Sequence, residues 1–127
     1  MSGRANEELV AAERAAGVLS ARDAERLRRT LAWSRREMAA FLAITPGAYA
    51  YRVRKGTLRP LEAERLARLA RLLAEARRVL GGEEAGACWL TSPILSLGGV
   101  RPVALLASPG GYERVRNKLL QVEHGTF

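Results

Sequence analysis

At 127 residues and 13.9 kDa the chain suits one compact domain, or two small helical modules that share a core. Its apolar runs are only a few residues long, and no charged segment followed by an apolar stretch opens it. The expectation is therefore a cytosolic protein with neither a membrane span nor a secretory signal. One cysteine, Cys88, and one histidine, His124, give no internal disulfide and too few soft ligands for a structural zinc site, and nothing calls for a cofactor or metal.

The formal charge of +8 is unevenly spread. From Gly81 onward Arg101, Arg114, Arg116 and Lys118 balance Glu83, Glu84, Glu113 and Glu123, so the whole surplus lies before that point. This asymmetry suggests an N-terminal part that meets a polyanion and a neutral C-terminal part that meets something else. The excess of arginine over lysine leaves a plainer source open, namely an arginine-rich proteome.

In chain order almost everything reads as helix. Glu7 to Ala16 is an alanine-rich stretch stopped by Gly17. Ser20 and Asp23 resemble a capping box, with Asp in place of the usual Glu or Gln, and open a helix from Ala21 to about Ala32 carrying Ala24, Leu27 and Leu31 at helical spacing. Ser34 is the next N-cap, with Glu37 three residues on and Met38, Phe41 and Leu42 facing inward. Thr45 caps and Pro46 starts a short helix to about Lys55, ended by Gly56. Pro60 opens the longest element, Leu61 to Leu80, with Leu66, Leu69, Leu73, Ala76 and Leu80 on one stripe. Gly81 and Gly82 end it and coincide with the charge boundary, which divides the chain into 1–80 and 81–127.

Beyond that seam, Glu83 to Leu90 makes a short helix with Trp89 and Leu90 inward, stopped before Pro93. Pro102 starts another, Val103 to Ala107, closed by Ser108, Pro109 and two glycines. The last helix places Tyr112, Val115, Leu119 and Val122 on one stripe. There is no strand pattern and no internal repeat, so the fold class is all-α.

The stretch WSRREMAAFLAITPGAYAYRVRKG has the layout of a helix-turn-helix: Ala39 is small where the helices would cross, and Leu42 and Ile44 supply apolar residues at the turn. Ala43 stands where many such motifs have glycine. The second helix would lie in the major groove. Thr45, Gly47, Ala48 and Ala50 are small enough for close backbone approach, while Tyr51, Arg52, Arg54 and Lys55 reach bases or phosphates. Ser34, Arg35 and Arg36 begin the first helix, where free N–H groups and positive charge attract a phosphate. Tyr49 is expected to face the core. The competing reading is an ordinary helical hairpin whose arginines form a solvated face.

The stretch LAITPGAYAYRVRKGTLRPLEAERLARLARLLAEARRVLGG, followed by WLTSPILSLGGVRPVALLASPGGYERVRNKLLQVEHGTF, resembles the Xre/MbcA/ParS antitoxin family, whose members partner RES-domain toxins. The likeness runs over nearly the whole chain from about Glu7. Its most specific parts are the run Glu62-Ala63-Glu64-Arg65-Leu66, Trp89-Leu90 before Pro93, Leu97-Gly98-Gly99 with Pro102 behind it, Gly111, and Glu123-His124-Gly125. The resemblance implies a homodimeric antitoxin of a type II toxin-antitoxin system. Its N-terminal helices would bind the operator of its own operon, and its C-terminal module would occlude a toxin that consumes NAD. It further implies toxin contacts at Arg101, Gly111, Tyr112, Arg114, Lys118, His124, Gly125, Thr126 and Phe127.

Catalysis finds little support. Glu123 and Cys88 are the only obvious chemical neighbours in type for His124, and no spacing implies contact. Two rivals stay open on sequence: a stand-alone helix-turn-helix regulator with a ligand-binding or dimerising C-terminal domain, and an adaptor that uses the helix-turn-helix as scaffold alone.

Overall fold

The computed structural model describes residues 19–125. The expected helix at Glu7 to Ala16, and the end of the tail at Thr126 and Phe127, lie outside them. Seven α-helices run through the described residues: α1 (Ala21–Thr30), α2 (Arg35–Leu42), α3 (Pro46–Lys55), α4 (Pro60–Leu80), α5 (Glu83–Thr91), α6 (Pro102–Leu105) and α7 (Gly111–Glu123). The all-α expectation holds. Among the described residues the only extended pairing is a single antiparallel bridge between Ile94 and Val100, around a 3-10 turn at Leu95–Leu97. Gly98 and Gly99, both at positive φ, close that turn.

The first three helices begin where side-chain oxygens catch free backbone N–H groups. The Ser20 Oγ accepts from the Asp23 N–H and the Asp23 carboxylate accepts from the Ser20 N–H, so aspartate completes this capping box. The Ser34 hydroxyl and Glu37 carboxylate do the same for α2, at 3.1 and 2.8 Å, and the Thr45 Oγ1 caps α3 at 3.0 Å.

The turn between α2 and α3 requires a residue in the left-handed region. Ala43 occupies it with φ 63°, and Ile44 N–H donates back to the Ala39 carbonyl at 3.0 Å. This is the helix ending that usually selects glycine, met here by an alanine. Ala39 is fully buried where α2 meets α3, as its size requires.

The central beam is α4. It packs on α5 and α7 along its length, and α2 also touches it. Its buried face is wider than a single stripe: Ala63, Leu66, Ala67, Leu69, Ala70, Leu72, Leu73 and Ala76 all lie inside, and α1 also contacts α5. One apolar cluster therefore extends from Leu19 through Tyr49 and the α4 leucines to Val115 and Leu119. Leu90 is fully buried, whereas Trp89 is only partly covered and packs at the margin of this cluster. Among the described residues no helix is long and apolar enough to cross a membrane.

Candidate functional site

The N-terminal helices are locked together by a buried polar cluster. Tyr49, fully buried as expected, donates its hydroxyl to Glu25 at 2.7 Å. Arg28 grips the same carboxylate with two hydrogen bonds of 2.9 Å, and Arg35 adds a third donor at 3.2 Å. These donors, Arg28 above all, hold the Glu25 carboxyl down at about 2, against the opposing effect of burial. Burial and the negative partner push the Tyr49 phenol up. Arg28 also donates to the Trp33 carbonyl at 3.1 Å, which ties α1 to the start of α2.

Of the sequence-chosen α3 residues, Gly47, Tyr51, Arg54 and Lys55 form an exposed outer face, with Thr45 exposed at its start. Tyr51 lies beneath two cations, Arg54 at 5.5 Å and Lys55 at 5.7 Å from its ring centre. Ser34, Arg35 and Arg36 are exposed at the start of α2. Ala48, Ala50 and Arg52 are not in this outer row but on its half-buried flanks. Arg52 turns inward to form two hydrogen bonds with Glu62 of α4, at 2.9 and 3.0 Å, and that pairing lowers the Glu62 carboxyl below its ordinary range. Glu62 also accepts from the Arg59 N–H at the start of α4. As placed, the Arg52 side chain clamps α3 to α4 rather than pointing outward.

A feature that the sequence reading missed adjoins this face. Arg22, Arg26 and Arg29 of α1 join Arg35, Arg54 and Lys55 around one open cleft. Their spacing of four and three residues is visible in the chain, but it matters only because α3 ends beside α1.

The C-terminal candidates do not converge on one patch. Arg114 and Lys118 share one flank of α7, where the Lys118 ammonium donates to the Gln121 carbonyl at 3.1 Å. Tyr112 is half-buried on the other flank, among Glu75, Arg116 and Arg71. Arg101 lines a groove between α2 and α6 together with Trp33, Glu37 and Phe41. His124 and Gly125 are exposed at the end of α7. Gly111 is buried, and a Cβ there would stand 1.6 Å from the Leu105 carbonyl oxygen, so the glycine serves packing. It allows α7 to start directly against α6. On the surface, Glu75 pairs with Arg116 and Arg78 with Glu123, fastening α7 to α4.

Comparison with known proteins bears on this second region. Residues 75–125 match the family described as the antitoxin Xre/MbcA/ParS C-terminal toxin-binding domain. This part of the chain is thus similar to the Xre/MbcA/ParS-type toxin-binding domains. The match starts inside α4 rather than at the Gly81 seam, in keeping with the way α4 packs on both α5 and α7. A curated relative, Antitoxin Xre of Yersinia enterocolitica, is 35% identical over 77 residues, which is 60% of this chain and 52% of the relative. The chain thus spans about half the length of that curated relative. The resemblance to Xre-type antitoxins is borne out on these two grounds.

Proposed function

We propose that the chain is the antitoxin of a type II toxin-antitoxin pair. Its C-terminal domain docks on and occludes a RES-type, NAD-degrading toxin, and its N-terminal helices bind the promoter of its own operon as a homodimer in the cytoplasm. The match of residues 75–125 to a toxin-binding domain carries this reading. The exposed outer row of α3 and the charge surplus before Gly81 support the DNA half. The chain acts as a stoichiometric inhibitor, not an enzyme.

The test is co-expression with the neighbouring reading frame. A RES-type chain should co-purify, cellular NAD should be spared, and Arg114→Glu with Lys118→Glu should weaken capture while duplex DNA binding persists. No co-purifying chain and no protection of NAD would refute the antitoxin reading.

A further inference from the structure

The cleft between α1, the start of α2 and the end of α3 has a volume of about 850 Å³ and is open to solvent. Six cationic side chains line it, Arg22, Arg26, Arg29, Arg35, Arg54 and Lys55, against the single carboxylate of Glu25. That carboxylate pairs with Arg35 and Arg29 among the six and is held also by Arg28 and Tyr49, which leaves Arg22, Arg26, Arg54 and Lys55 without a carboxylate partner among the described residues. Arg22 and Arg26 are exposed and form no ion pair among the described residues, whose bridges involve other arginines. Such crowding of like charge repels itself and is relieved when an anion enters. The walls are polar, with only Val53 as a large apolar lining residue, so an apolar ligand finds no surface there.

We propose that this cleft grips the phosphate backbone of duplex DNA beside α3, extending the contact surface from α3 onto α1. The inference rests on the DNA-binding half of the reading above and adds residues to it. Arg22, Arg26 and Arg29 span about 10 Å of helix axis at 1.5 Å per residue. Successive phosphates of one strand rise about 3.4 Å along the duplex axis, so the row matches a short run of phosphates rather than a single ion. These contacts set position and affinity without reading sequence.

The experiment uses the full chain and a duplex from upstream of its own gene, with binding followed by fluorescence anisotropy across a salt series. Each lost phosphate contact should make the slope of log K against log salt shallower by about 0.9. The Arg22→Gln/Arg26→Gln variant should therefore lose roughly 2 in slope and keep its preference between cognate and unrelated duplex, with its thermal midpoint unchanged. Arg22→Lys/Arg26→Lys should restore the slope. An unchanged slope in the glutamine variant, with binding weakened by Tyr51→Ala, would overturn the cleft assignment and leave the α3 reading standing. Failure of the wild-type chain to bind any duplex at low salt would sink both.

Discussion

The helices before α4 and those after it are held in place by different means. In the first group each start is fixed by a side chain a few residues away: Ser20 with Asp23, Ser34 with Glu37, and the Thr45 hydroxyl. In the second group α5, α6 and α7 start at Gly82, Arg101 and Gly110 without a side-chain cap, and they depend on proline, close backbone approach and the flank of α4. The first region is specified locally and spends its surface charge on an outward face. The second is specified by packing, so what it offers a partner depends on how α7 sits against α4 and α6.

The largest expected effect tests that dependence. Gly111→Ala places a methyl within 1.6 Å of the Leu105 oxygen, and backbone atoms cannot yield cheaply. The substitution should cost about 3 kcal/mol or more in urea denaturation. Gly47→Ala in α3 meets nothing within 4 Å and should be neutral or stabilising by about 0.5–1 kcal/mol. Equal costs at the two glycines would break the contrast.

Next comes acid. The Glu25 carboxyl is lowered from 4.5 to about 2 in the folded chain. Its contribution is therefore fully present above pH 4.5 and is lost as pH falls toward 2. The loss should be on the order of 3 kcal/mol for this buried group. Denaturation midpoints measured from pH 5 to pH 2 should fall, and Glu25→Gln should flatten that fall while lowering stability at neutral pH. A variant with the same acid slope as the wild type would remove Glu25 as the group responsible.

These two cases also show where the sequence was legible. The caps were readable because donor and acceptor lie three residues apart, and the inward stripes of α4 and α7 because their period is helical. The pairings of Tyr49 with Glu25 and Arg52 with Glu62 join residues 24 and 10 apart on different helices, and local pattern carries no trace of them. Arg52 therefore reads from the sequence as one more outward cation, although α4 supplies its carboxylate. Gly111 drew notice as a motif residue, but its reason, the Leu105 carbonyl, exists only once α6 and α7 meet. The basic cleft escaped for the same cause.

Trp89 gauges the second region at its margin. Read from sequence as a core anchor, it is only half-buried beside the fully buried Leu90. Trp89→Ala should cost about 2 kcal/mol, roughly half of what a fully enclosed tryptophan loses. A larger cost would place it in the core after all.

The smallest effect returns to the locally specified region and reverses sign. Ala43 holds a left-handed conformation at φ 63°, closing α2 before the turn into α3. An L-residue with a Cβ is strained there by roughly 1–2 kcal/mol. Glycine relieves that strain but adds freedom to the unfolded chain, which takes back part of the gain. Ala43→Gly should thus raise stability by about 0.5–1 kcal/mol, readable as a higher midpoint in urea with an unchanged slope. Because Ala43 is exposed and its methyl group lies outside the apolar cluster, nothing else is lost on truncation. A destabilised Ala43→Gly would mean that the turn is held by the rigidity of alanine, and that local chemistry alone does not set the angle at which α3 leaves α2.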